Sequence, residues 1–228
     1  MLHSMTFTRR AALTALLASG GLALASAPAP LVAQLGSQPA EQWALTLESG
    51  RRLESLEIEE VVAAIGLQPG EVVADIGAGT GIFSVPMARA VGASGTVFSV
   101  EVDAGFLPII DGKAREQGVG NITTILGEFG DPKLPRQDVD VAFFHDVLHH
   151  IEQRQAYLQA LAAYMAPGSR IVVVDFDKNV PGVPHSNQPE MLIGPEDVAT
   201  WMAAAGFAPT REIEMFDDKF FVVYTKRN

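Results

Sequence analysis

The chain contains no cysteine, which excludes disulfides, thiolate metal sites and a cysteine nucleophile together. Basic residues are scarce: 16 Lys and Arg stand against 27 Asp and Glu, for a formal net charge of -11. A nucleic-acid partner needs clustered Lys and Arg to displace counterions from phosphates, so none is expected. No internal repeat is visible, and no His-Glu-x-x-His pattern occurs, so no metal site is expected. What the chain does have is 228 residues, 48% of them hydrophobic and 19% charged. That is enough to bury one sizeable core in a single globular domain.

The N-terminus reads as an address. Arg9 and Arg10 precede an uncharged run from Ala11 to Ala27 that closes in Ala25-Ser26-Ala27, just ahead of Pro28. A basic start, an apolar middle and a small-residue end are the parts of an export signal, here residues 1–27. The run is short and weakly apolar beside the roughly 20 residues a bilayer span takes. Thr8-Arg9-Arg10-Ala11-Ala12-Leu13 resembles a twin-arginine signal, with Ala12 where an aromatic is usual, so the general secretory route stays open. The protein is therefore expected to be exported, periplasmic or extracellular, with no membrane span after cleavage. Residues 28–42 read as a linker and 43–228 as the folded domain.

Along the domain, apolar residues at Leu53, Leu56, Ile58, Val61, Val62 and Ile65 predict an amphipathic helix over Trp43 to Ile65. The helix is a candidate second lid over a bound cofactor, with Arg51 and Arg52 read as its solvated face. Short β-branched runs then alternate with helical patterns. The strands are Val72 to Ile76, Thr96 to Val100, Ile122 to Leu126, Val139 to Phe144 and Ile171 to Val174; the helices between are Ile82 to Val91, Ala104 to Gln117 and Glu152 to Met165. Such alternation specifies βαβ units and a parallel sheet. Past Asp175 come a long Pro- and Asn-rich loop, a helix from Pro195 to Ala205, and strands Arg211 to Phe216 and Phe220 to Thr225. The final pair predicts an antiparallel edge. The expected fold is α/β, a Rossmann-like doubly wound and mostly parallel seven-stranded sheet with an antiparallel C-terminal edge strand.

Strand one ends in Asp75-Ile-Gly77-Ala78-Gly79-Thr-Gly81 and runs into a helix. Glycines at alternate positions let a ligand touch backbone. A dinucleotide fingerprint would place its third glycine at 82, where Ile stands, which opposes a nicotinamide-dependent reductase. Strand two ends in Glu101-Val102, with Glu101 20 residues beyond Gly81. A carboxylate there can accept from both ribose hydroxyls at the carboxyl edge of the sheet. Strand three leads into Gly127-Glu128-Phe129, and strand four ends in Phe144-His145-Asp146, followed by Leu148-His149-His150.

These motifs, in this order, resemble the class I S-adenosylmethionine-dependent methyltransferases, in the small-molecule, ubiquinone-biosynthesis-like branch and among exported bacterial methyltransferase-domain proteins. The resemblance covers roughly residues 56 to 174. It implies S-adenosylmethionine as cofactor, held by Asp75, Gly77, Ala78, Gly79, Gly81, Glu101, Val102, Glu128, Phe129 and His145. It implies methyl transfer by in-line displacement to a small-molecule acceptor. Histidines are natural proton acceptors near neutral pH, so His145 and His149 are the catalytic candidates. Asp175, Phe176 and His185, on the loop after strand five, are candidates for lining the acceptor site. An exported nucleoside-binding module without turnover is the competing reading. The oligomeric state stays open.

Overall fold

The computed structural model describes residues 38–227, so the expected export signal and most of the linker lie outside the described residues. Three short helices come first: α1 (Ala40–Leu47), α2 (Gly50–Ser55) and α3 (Ile58–Ile65). The single helix expected over Trp43 to Ile65 is thus broken twice and begins inside the segment expected to be linker. Glu57, in the left-handed region at φ 47, turns the chain between α2 and α3. Ser49 and Gly50 do the same between α1 and α2. Apolar periodicity survives such breaks, which is why the sequence reads as one helix.

The core alternates as expected. Strands β1 (Val72–Ile76), β2 (Thr96–Glu101), β3 (Ile122–Leu126) and β4 (Val139–His145) are followed by β5 (Met165–Phe176), β6 (Phe207–Glu212) and β7 (Lys219–Lys226). Between them run α4 (Ser84–Val91), α5 (Phe106–Glu116), α6 (Arg154–Ala162) and α7 (Pro195–Ala204). They form one seven-stranded sheet in the order β3-β2-β1-β4-β5-β7-β6. The first five strands pair in parallel, and β7 pairs antiparallel with both β5 and β6. The antiparallel pair thus closes one end of the sheet, with β6 outermost. β6 starts four residues earlier than the sequence pattern suggests, because Phe207 is the residue that buries completely. Pro209 sits in this outer strand at a shift of register, where a missing N–H does no harm.

Alternate strand residues feed two cores. Val72, Ala74 and Ile76 pack with Leu158, Leu161, Val198 and Met202 of α6 and α7. Val73, Val141 and Val172 pack on the opposite face with Val61, Ile65, Met87 and Val91 of α3 and α4. Strands covered on both faces read as continuous apolar runs, and β1 is buried at all five positions. Strand order reverses between β1 and β4, and the carboxyl ends of β1, β2 and β4 open there together. No helix among the described residues is long and apolar enough to cross a membrane.

Candidate active site

At that reversal lies a cavity of about 600 Å³. One wall is the turn from β1 into α4. Gly77, Gly79 and Gly81 all have positive φ, at 68°, 56° and 77°. A Cβ on Gly77 would lie 2.6 Å from a methyl of Val147, so only glycine keeps the turn pressed on the segment after β4. The N–H groups of Gly77 and Ala78 both donate to the carbonyl of Val100, tying the turn to β2. Gly79 donates instead to Glu101 Oε1 at 2.6 Å, and Val102 N–H donates to Oε2 of the same carboxylate at 3.1 Å. Glu101 is 8% exposed, and burial pushes its pKa up against the pull of these donors.

Asp75 is buried beneath the turn, accepts from Ser84 Oγ at 2.5 Å, and Ser99 Oγ donates to Ser84 in turn. Burial raises its pKa to about 7, reinforced by the neighbouring charge of Glu101. Glu128 and Phe129 line the cavity from its rim, both exposed; Lys133 pairs with Glu128 at 3.2 Å. α1 and α2 cover the opening through Trp43, Leu47 and Arg52. Trp43 Nε1 is buried without a hydrogen-bond partner. Arg52, expected to be solvated, turns inward, with Nη1 3.5 Å from Asp146 Oδ2; Arg51 stays exposed.

The far wall is made by the end of β4. His145 stacks on Phe83, with ring centroids 4.6 Å apart, and neither ring nitrogen makes a hydrogen bond. Burial holds its pKa below the usual histidine value, so it is neutral at pH 7. Asp146, at φ 54, takes Lys219 Nζ at 2.9 Å, and its pKa is depressed by the charges facing it. His150 and His185 line the same end.

Four of the expected site residues stand off the cavity wall. Gly81 is not on the cavity wall; its backbone faces Ile110 of α5, with 3.2 Å left for a Cβ. His149 also lies behind the wall, with Nδ1 2.6 Å from Asp175 Oδ1. Asp175 is therefore a buried partner of His149, not a lining residue. Phe176, the remaining loop candidate, is not on the wall either. Trp43, Arg52 and Asp146 had no motif to reveal them, although a tryptophan and an arginine pair in the helix before the glycine turn were the visible hint.

A sheet of this order, with a glycine turn facing a strand-end carboxylate, defines a class I S-adenosylmethionine-dependent methyltransferase. Residues 67–206 match the family model described as a methyltransferase domain, and the chain belongs to that family. It is similar to the ubiquinone/menaquinone biosynthesis C-methyltransferase UbiE of Vibrio vulnificus (strain YJ016), 28% identical over 116 residues that cover 50% of this chain and 45% of the relative. The corresponding protein of Cellvibrio japonicus (strain Ueda107) is 29% identical over 118 residues, 51% and 47% of the two chains. The chain thus spans about half the length of these relatives. Among solved structures, an S-adenosylmethionine-dependent methyltransferase from Aquifex aeolicus shares the fold at a TM-score of 0.73 and 23% identity, covering 83% of this chain and all of that one. Magnesium protoporphyrin IX methyltransferase from Synechocystis PCC 6803, solved with bound S-adenosylhomocysteine, gives 0.64 and 20%, covering 82% and 94%.

The cofactor is S-adenosylmethionine, and the residues present fit it. A side chain at Gly77 would collide with Val147 behind the cradle, Gly79 holds a positive φ on its wall, a buried carboxylate faces the turn, and Trp43 and His145 hold unpartnered nitrogens beside the cavity. Buried polar groups are ordinarily satisfied, so unpartnered ones around a cavity mark a ligand's place.

Proposed function

We propose that the protein transfers a methyl group from S-adenosylmethionine to a small-molecule acceptor by in-line displacement. The observation that carries this reading is the contact of the Gly79 N–H with the Glu101 carboxylate on one wall of a closed-in cavity. Bound there, the cofactor supplies a methyl group activated by a positively charged sulfur. The chain itself binds, orients and excludes water. Gly77, Ala78 and Gly79 bring bare backbone to the amino-acid end, above the Asp75 carboxyl. Glu101 has lone pairs left for ribose hydroxyls, with Val102 beside it, and Glu128 and Phe129 flank the adenine end.

Displacement at a methyl group asks mainly for alignment, and alignment alone supplies several kcal/mol, about 7 or more in favourable cases. An acceptor that is a hydroxyl or an acidic carbon must also lose a proton. His145 is neutral on the opposite wall, with Nδ1 3.5 Å from the Asp146 carboxylate and Nε2 without a partner, and it is the group we assign to accept that proton. The acidic surface, at -11 overall, favours a neutral or cationic small molecule over a polyanion.

Calorimetric titration of the full chain tests this. S-adenosylmethionine and S-adenosylhomocysteine are expected to bind in the micromolar range and NADH not at all. Gly79→Arg strains a backbone at φ 56 and places a long charged side chain beside Leu47 on the cavity wall, and should weaken both by at least about a hundredfold, close to 3 kcal/mol. Unchanged affinity in this variant overturns the placement of the cofactor. Binding without transfer of labelled methyl to any of a panel of phenols, quinols and amines would favour a nucleoside-binding module.

A further inference from the structure

Three of the five histidines meet at the acceptor end of the cavity, brought there by different means. His149 and His150 share the single 3-10 turn Leu148–His150 that follows β4. His185 comes from the long loop after β5, more than thirty residues away in sequence. One nitrogen from each ring lies within 4.8 Å of the other two. The ring centroids are 4.1 Å apart for His149 and His150, 5.1 Å for His149 and His185, and 5.5 Å for His150 and His185.

We propose that His149, His150 and His185 form a binding site for a divalent first-row transition metal such as Zn²⁺, with a fourth position open to the cavity. The ring nitrogens are already sorted for it. Asp175, completely buried, accepts from the backbone N–H of Phe176 at 2.8 Å and holds His149 Nδ1 at 2.6 Å. That bond places the proton on Nδ1 and leaves Nε2, which is buried and without a partner. A carboxylate behind a ligating histidine is the arrangement that orients imidazoles on zinc and raises their basicity. On His185, Gln188 Oε1 engages Nδ1 at 3.0 Å, which again leaves Nε2. Arg154 fixes the backbone of the turn by donating to the carbonyl of His149 at 2.7 Å.

Two further features agree. His185 has φ +62, a strained conformation for a residue with a side chain, of the kind that collects at functional sites. His150, half-buried on the cavity wall, completes the set from the same turn as His149. Without an ion, three imidazoles have been packed together with a buried nitrogen facing nothing, which is costly. Imidazole ligands suit Zn²⁺, Cu²⁺, Ni²⁺ or Fe²⁺ over Mg²⁺ or Ca²⁺. Tetrahedral nitrogens about 2 Å from such an ion lie about 3.4 Å from one another, so the rings close by roughly an ångström or so.

The consequence rests on the proposed methyl transfer. His150 and His185 line the cavity whereas His149 stands behind them, so the open position faces the acceptor. An acceptor that ligates through oxygen, a phenol or an enediol, would be held by that oxygen, and its hydroxyl proton would come off more easily. This also divides the work among the histidines: His149 ligates, and His145 remains free to take the proton.

The test uses untagged full-length protein, stripped with chelator and dialysed against Zn²⁺, with metal counted by mass spectrometry. One equivalent is expected, and Co²⁺ in its place should show the visible absorption of a nitrogen-ligated tetrahedral centre. His185→Ala should lose at least a hundredfold in Zn²⁺ affinity. Asp175→Asn should keep one equivalent at saturation but bind ten- to a hundredfold more weakly, as expected of a positioning residue. No bound metal, or equal binding in His185→Ala, overturns the site. Titration of S-adenosylmethionine into the same samples separates the two readings. Cofactor binding without metal leaves the methyltransferase and removes the metal, and metal without cofactor does the reverse.

Discussion

Lys219→Met should destabilise the protein by about 3 kcal/mol at pH 7.5, because it removes the main partner of a charge that cannot leave the interior. Asp146 is 8% exposed and held at φ 54. Lys219 Nζ lies 2.9 Å from one of its oxygens and 3.0 Å from the other. Arg52 Nη1 and His145 Nδ1, each 3.5 Å away, are the other basic groups recorded against it among the described residues, and the Arg52 side chain is 32% exposed. Methionine keeps the stem and its packing on Phe176 and Phe216, over whose rings the ammonium now sits at 4.6 and 5.3 Å. The change therefore isolates the charge. The pH dependence follows from the carboxylate. Facing charges hold its folded pKa below the ordinary 3.8, so the stabilisation is complete above that value and is lost as pH falls through the folded pKa. Urea titrations should show the full gap between wild type and variant at pH 7.5, narrowing as pH falls through the folded pKa of Asp146 in the variant, which burial raises once the lysine is gone. A gap under about 1 kcal/mol at neutral pH would mean that Arg52 and His145 hold the charge without the lysine.

The same cluster explains how the cover is attached. Asp146 directly follows β4, Lys219 begins β7 and Arg52 belongs to α2, so one carboxylate joins the sheet to a helix lying across the cavity mouth. A second tie, Lys113 of α5 to Glu48 just after α1, secures the neighbouring helix. Loss of Lys219 should accordingly loosen α2 as well as lower global stability.

The sheet was legible in the sequence because strands buried on both faces leave continuous β-branched runs, as at Val72 to Ile76 and Ile171 to Val174. The glycine turn and Glu101 were legible because they are local: a few residues at fixed spacing on adjacent strands. What escaped depends on distant segments meeting. Nothing in Leu148-His149-His150 points to a histidine on the loop after β5, or to Asp175 as the partner of His149. Arg52, Asp146 and Lys219 come from three separate stretches, and each alone reads as a surface charge. Gly81 was expected among the residues holding the cofactor, and spacing along the chain does not say which glycine lines the cavity and which lies against a helix, as Gly81 does against Ile110. The breaks at Ser49 and Glu57 stayed hidden because backbone direction, not apolar spacing, marks them.

Asp75→Asn should make the protein more stable and its cofactor weaker, with both effects depending on pH. Asp75 is buried, and its folded pKa is about 7 against an ordinary 3.8. Below about pH 4 the carboxyl is protonated folded or unfolded and costs nothing. Between about 4 and 7 the folded protein keeps a proton that the unfolded chain releases, so stability falls as pH rises. Above 7 the full cost of burying the charge remains, about 4 kcal/mol. Asparagine carries no such cost. Its carbonyl can accept from Ser84 as the carboxylate does at 2.5 Å, while its amide nitrogen needs a new partner at the cavity. A net gain of about 2–3 kcal/mol is therefore expected at pH 8, turning into a loss of about 1–2 kcal/mol by pH 4, where the cost of the charge has gone and the amide's missing partner remains. The benefit of aspartate lies in what it meets. S-adenosylmethionine brings two cationic centres against one carboxylate, and a positive charge beside Asp75 pulls its pKa down. Binding near pH 7 should release a proton from the wild type, visible as a calorimetric heat that changes with the buffer's ionisation enthalpy, and release less from the variant. Affinity at pH 8 should drop about tenfold in the variant, because the ion pair is gone. Thermal melts at pH 5 and pH 8 check the first half. A variant less stable than wild type at pH 8 would show that the buried charge is already compensated, and that Asp75 is ionised before any cofactor arrives.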